Sequence, residues 1–224
     1  MKDLHYLFWK KWFRRKSLYE KINRPDVRFD AVRKYIRGNN ILDFGFGTGY
    51  FVSRLVNEGF KVIGIDISKD MKIERNKSMI LISLKNVNYL KFLKFENKFD
   101  TIISSEVLEH LNKNELNKVL RFFFEWLDDK GRLIVTTPYN ERIEKTVLCP
   151  YCLKWFHPWL HKQSFNERNI REIMKRHGFL IEKINYISVF DLMNLPSFVR
   201  VFINFLLSHF SNRGRIWMVI VAKK

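Results

Sequence analysis

Cysteine is nearly absent from this chain, with two in 224 residues. That excludes a disulfide-stapled secreted scaffold, and a chain of this length buries enough surface to fold without staples. Long apolar runs are missing as well. The best of them, Phe198 to Leu207, spans ten residues and contains Arg200 and Asn204. A membrane span needs roughly 20. The first residues carry Asp3 and His5 and no small-residue cleavage site, so no secretory leader is read there and a cytoplasmic protein is expected. Internal repeats and low-complexity tracts are absent. Acids are scarce relative to bases: 23 Asp and Glu stand against 41 Lys and Arg, a net charge of +18. Such a field draws nucleic acid, acidic headgroups or phosphorylated substrates, although lysines spread evenly along a chain produce the same total. What is present is an ordinary globular mixture, 46% hydrophobic and 29% charged, which excludes whole-chain disorder and a coiled coil.

Residues 1–38 read as a basic helical extension. Up to Arg37 they hold twelve Lys and Arg against four acids. Leu4, Phe8 and Trp12 recur at helical spacing, a break falls near Pro25, and a second helix is predicted over Asp26 to Arg37. From residue 39 to the end the pattern is that of one α/β domain. Strands are predicted at Ile41–Phe44, Lys61–Ile67, Met79–Leu84, Phe99–Ser104, Arg132–Thr137, Phe179–Ile187 and Ile216–Ala222. Helices alternate with them at Tyr50–Glu58, Lys69–Lys77, Asn114–Leu127 and from Ser164 to Gly178, where Ser164 and Glu167 have capping-box spacing. Strands alternating with helices imply a mostly parallel sheet covered on both faces. Two inserts interrupt the rhythm, a polar one at 139–163 and an apolar, mostly helical one at 190–213.

The strongest local signal is Asp43-Phe44-Gly45-Phe46-Gly47-Thr48-Gly49. A strand runs into three glycines at alternate positions and then into a helix. Glycine accepts positive φ and lets backbone approach a ligand, which then lies at the helix N-terminus. The dinucleotide fingerprint would need a small residue where Tyr50 stands. Asp43, Gly45, Gly47 and Gly49 instead match the D-x-G-x-G-x-G motif, and the chain resembles the class I S-adenosylmethionine (SAM) methyltransferases. Asp66 closes the second strand as that family's ribose-binding acid does. Ser105-Glu106-Val107-Leu108-Glu109-His110-Leu111 is similar to the fourth-strand motif of its V-L-E-H-L branch, which methylates small molecules, lipids and quinones. The resemblance covers roughly residues 39–187 and the last strand. It implies a Rossmann-like fold with a seven-stranded, mostly parallel sheet, and a SAM site built from Asp43, Gly45, Gly47, Gly49, Asp66, Ile67, Ser105 and Glu106. Where the family usually has an acid after strand three, this chain has Asn86, whose carbonyl can take the adenine amino group; backbone and apolar walls are the alternative. His110 is the expected base where the acceptor needs one, with a histidine packed in its loop as the other reading.

Cys149-Pro150-Tyr151-Cys152 precedes His157 and His161. Two thiolates and two imidazoles at C-x2-C-x4-H-x3-H spacing can complete a closed zinc shell, and an insert of this pattern also occurs in some methyltransferases of this type. The same cysteine pair can be read as a glutaredoxin-like dithiol, which Pro158 opposes, or as two free thiols. The expectation carried forward is a SAM-dependent methyltransferase with structural zinc on Cys149, Cys152, His157 and His161. It acts on oxygen or nitrogen of a small-molecule or lipid-linked acceptor. The alternatives are an RNA methyltransferase, suggested by the charge, and a SAM-binding scaffold without turnover. The basic helix suits a membrane surface, RNA or simple packing on the domain.

Overall fold

The computed structural model describes residues 4–13, 15, 20–21, 23–67, 77–188 and 215–224. The helix expected over Lys69–Lys77 and the insert expected at 190–213 therefore fall, almost wholly and wholly, outside the described residues. The large sheet has seven strands: β1 (Asn40–Phe44), β2 (Lys61–Asp66), β3 (Met79–Ser83), β4 (Phe99–Ser105), β5 (Leu127–Pro138), β8 (Leu180–Ser188) and β9 (Arg215–Lys223). Their spatial order is β3-β2-β1-β4-β5-β9-β8. Pairing is parallel from β3 through β5, while β9 runs antiparallel to both β5 and β8. A short hairpin of β6 (Val147–Leu148) and β7 (Trp155–Phe156) stands apart.

Both faces of the sheet are covered, so strand residues of both parities are apolar. Leu42, Ile102, Leu133 and Val135 point into a core shared with α4 (Lys113–Trp126) and α5 (Glu167–Arg176). Their neighbours Ile41, Ile103 and Ile134 point the other way, against α2 (Pro25–Arg33) and α3 (Tyr50–Asn57). The chain leaves β1 toward β2 on one side and β4 on the other. At that reversal the carboxyl ends of three strands open a crevice, where ligands of such sheets bind.

Helix starts are set by side chains that satisfy otherwise orphaned N–H groups. Asn112 caps α4 by accepting from the Glu115 amide at 3.0 Å, and Glu115 returns the bond to the Asn112 amide at 2.8 Å. The start of α5 corrects one expectation: its capping box is Asn166 and Asn169, at 3.0 and 2.9 Å, and not Ser164 and Glu167. Ser164 uses its carbonyl to receive the Asn169 side chain instead. Asn166→Ala should lower stability by about 1 kcal/mol, read as a lower urea midpoint at unchanged slope, whereas Ser164→Ala should leave the midpoint in place. Strand β5 is longer than expected because Leu127 already pairs with Phe99. The N-terminal helix α1 (Leu4–Phe13) lies with Trp9 buried.

Candidate functional site

The crevice at the carboxyl ends of β1, β2 and β4 opens into a cavity of about 450 Å³. Its floor is the glycine loop. Gly45, Gly47 and Gly49 all take positive φ, at 85°, 50° and 77°. A Cβ on Gly45 would come within 2.2 Å of Val107 Cγ2, so the loop passes the β4 segment too closely for any side chain. Gly49 is the left-handed cap of α3. Gly45 and Gly47 line the cavity; Asp43 and Gly49 lie behind the lining. Asp43 is buried in the sheet, paired in register with Gly64 of β2 and Ile103 of β4. Burial, reinforced by the Asp66 charge, raises its pKa to about 8.

Asp66 ends β2 on the cavity wall, and its carboxylate accepts the Gly47 amide at 2.8 Å. That bond ties the glycine loop to the next strand. Ile67 and Asn86 continue the wall. The Asn86 carbonyl accepts the Asn88 amide at 2.9 Å and caps a short 3-10 helix. One of its lone pairs is thus used locally, and the other is what a ligand amino group would have to share. Ser105 and Glu106 line the far side. Glu106 holds φ 57°, a strained value for a side chain with Cβ, of the kind that concentrates at functional sites. Thr136 holds it there, donating its hydroxyl to Glu106 Oε1 at 2.9 Å while the Glu106 amide bonds the Thr136 carbonyl at 3.0 Å. Burial raises the Glu106 pKa and the nearby Arg28 charge opposes the shift. Burial, then the Glu106 charge, lifts Glu109 well above the carboxylate range.

The other end of the cavity is aromatic and imidazole-rich. His110, Trp9, Trp159, Glu141 and His161 line it. The Trp9 and His110 rings meet edge to face at 5.0 Å, and Trp12 meets Trp159 at 5.7 Å. Helix α1 therefore packs its aromatic side against the cavity mouth. The four residues expected to hold zinc do not converge among the described residues. Cys149 and Cys152 sit at the tip of the β6–β7 hairpin, where the Leu153 amide bonds the Cys149 carbonyl at 2.9 Å. His157 and His161 instead stack on each other at 4.8 Å and face Glu141. The gatherings of three or more metal-binding side chains among the described residues are Glu109-His110-His161 and Glu141-His157-His161, neither with a cysteine.

Glu141, Trp159 and Trp217 were not singled out from the sequence as site residues, whereas Trp9 belongs to the entry helix expected to help build the acceptor site. Glu141 carried a positional signal: it follows the end of β5 at Pro138, on the same sheet edge as the other site loops. Trp159 and Trp217 carried none, since each reads equally as core.

A seven-stranded sheet in this order, with a glycine cradle at its reversal point and an acid closing β2, is the Rossmann-like methyltransferase architecture. A methyltransferase-domain family matches residues 12–184, and the chain belongs to that family. An uncharacterized methyltransferase of Bacillus cereus is 31% identical over 110 residues, 49% of this chain and 50% of its own. One from Alkaliphilus oremlandii is 30% identical over 115 residues, 51% and 52% of the two chains. The chain thus spans about half the length of the curated relatives it matches. Among solved structures, a SAM-dependent methyltransferase from Archaeoglobus fulgidus superposes with a TM-score of 0.66 at 22% identity, covering 94% of this chain and all of that one. The Burkholderia thailandensis 1,6-didemethyltoxoflavin-N1-methyltransferase, solved with bound 1,6-didemethyltoxoflavin and S-adenosylhomocysteine, gives 0.63 at 15% identity over 97% and 84%. These likenesses are of fold. No helix among the described residues is long and apolar enough to cross a membrane.

Proposed function

We propose that the protein is a SAM-dependent methyltransferase acting on oxygen or nitrogen of a small-molecule or lipid-linked acceptor. The observation that carries this reading is the single cavity of about 450 Å³ that joins the glycine cradle and Asp66 at one end to Glu106, Glu109 and His110 at the other. The residues fit the cofactor. Gly45 and Gly47 present bare backbone to the cavity, where a ligand could approach closely, and Asp66 would be an anionic acceptor for ribose hydroxyls. Ile67 and Asn86 would hold the adenine, and Ser105 and Glu106 would contact the methionine portion; all four line the cavity. When bound, SAM supplies a methyl group already activated on a sulfonium, so the chain's task is to position, orient and exclude water.

The placement of α1 supports a small acceptor over RNA. Trp9 and Trp12 are engaged with His110 and Trp159, and rings packed in this way are not free to stack on bases. Asp66→Ala should weaken S-adenosylhomocysteine binding by about 10- to 100-fold through loss of charge-assisted hydrogen bonds, measured by calorimetry. Incubation with methyl-labelled SAM and a fractionated cell extract tests the acceptor. Label in the small-molecule or lipid fraction agrees with the proposal. Nuclease-sensitive label would reassign the +18 surface to RNA, and cofactor binding without any label would make the protein a SAM-binding scaffold.

A further inference from the structure

We propose that Glu109, His110 and His161 form an open site for a divalent transition-metal ion at the acceptor end of the cavity, with Glu141 behind His161 as its orienting partner. One donor atom from each of the three lies within 4.8 Å of the others, the separation a single ion can span. All three line the cavity.

The site is held together from two directions. The Glu109 carbonyl receives the Lys162 and Gln163 amides at 2.7 and 3.2 Å. These bonds pin the segment carrying His161 against the loop carrying Glu109 and His110. The two imidazole rings then stand 4.7 Å apart. Glu109 is 1% exposed. Its Oε2 accepts from the Thr137 hydroxyl at 3.2 Å, whereas Oε1 has no hydrogen-bond partner among the described residues. A buried carboxyl oxygen left without a hydrogen-bond partner is costly, and a cation bound there would satisfy it.

Tautomer chemistry separates this set from the second gathering. Glu141 Oε2 meets His161 Nδ1 in a short contact. A proton held on Nδ1 leaves the Nε2 lone pair for a metal, which is the carboxylate–histidine–metal arrangement. His157 is different. Its Nδ1 accepts the His161 amide at 3.3 Å, so the neutral ring carries its proton on Nε2, 3.6 Å from Glu141. His157 therefore has no lone pair to give and serves to brace Glu141. Two imidazoles and one carboxylate with remaining positions open suit Mn2+, Co2+ or Zn2+, and three protein ligands mark a site that takes a ligand from outside. Because all three ligands line the cavity, a ligand completing the shell would come from it, and the site would favour acceptors that bring oxygen donors, such as neighbouring hydroxyls. This role rests on the methyltransferase reading, whereas the existence of the site does not. The assignment also replaces the base expected at His110.

The test uses the full chain, stripped with chelator and titrated with Co2+ by absorbance and calorimetry. One Co2+ per chain should bind with ligand-field bands and no sulfur-to-cobalt band. The double variant Cys149→Ser, Cys152→Ser should bind it unchanged. Glu109→Gln and His161→Ala should each weaken binding by about 100-fold, and Glu141→Gln by about 10- to 100-fold. Thermal melts show which variants are folded, and the near-isosteric Glu109→Gln carries the test if His161→Ala unfolds. Binding that shows the sulfur band and disappears in the cysteine variant would overturn the site in favour of cysteine ligation. Affinity weaker than about 1 mM in the wild type would overturn it outright. S-adenosylhomocysteine titrated into the metal-free protein is the separate control: its failure to bind would strike the methyltransferase reading and leave the metal result standing.

Discussion

Gly45→Ala should abolish measurable S-adenosylhomocysteine binding, a loss of about 100-fold or more, with a fall in stability of about 2–4 kcal/mol. Two independent costs combine at this position. The residue sits at φ 85°, where an L side chain is strained by about 1–2 kcal/mol. The added methyl would also lie 2.2 Å from Val107 Cγ2, far inside van der Waals contact. The loop must move away from β4 to admit it. Gly45 also donates its amide to the Ile65 carbonyl at 2.7 Å, so the movement is transmitted to the strand that ends in Asp66. Adding Val107→Ala should remove the overlap and leave the φ strain, so the double variant should recover part of the stability and part of the affinity. Wild-type affinity in the single variant would show that the cradle is not the cofactor floor.

Stability should fall as pH rises from about 4 to about 8, and Asp43→Asn should flatten that fall. Asp43 has its pKa raised to about 8 by burial and then by Asp66, against an ordinary value near 3.8. Between those limits the folded chain holds a proton that the unfolded chain has released. The unfolding free energy therefore declines with pH, at most by about 1.4 kcal/mol per unit for one such proton. Below the lower limit both states are protonated and the contribution is complete; above the upper limit it is gone. An amide cannot titrate, so the difference between wild type and variant in urea melts across this window isolates Asp43 from the other carboxyls. Parallel curves would mean that Asp43 is ionised in the folded chain. The proposed sulfonium cofactor adds positive charge above the β1 end, so its binding should release protons and tighten with pH in the same window.

The glycine loop and the acid after β2, the proposed cofactor half of the site, could be located from the sequence because their information is local. Asp43, Gly45, Gly47 and Gly49 occupy seven consecutive residues, and the glycines there answer a backbone requirement set by the strand-to-helix turn itself. Asp66 was legible for a similar reason: it closes an apolar, β-branched run that can only be a buried strand. The same locality located all seven large strands, apart from their ends. Ends depend on pairing, as Leu127 shows by joining β5 through Phe99, and on which of several polar residues wins a helix cap, as Asn166 did over Ser164.

The acceptor half was not legible in this way. The spacing of Cys149, Cys152, His157 and His161 is what a closed metal loop requires, yet spacing along the chain does not say which way each side chain turns. The β6–β7 hairpin carries the cysteines at its tip, and the bonds from Lys162 and Gln163 to Glu109 hold the segment of His161 against the loop after β4. Trp9, from the far end of the chain, closes over His110. By itself the sequence determined the α/β class, the glycine cradle and the acid at the end of β2, because short-range sterics and periodicity suffice for these. Only the tertiary structure decided that Glu109, His110, Glu141 and His161 meet, because their meeting depends on which strand ends the sheet order brings to one edge.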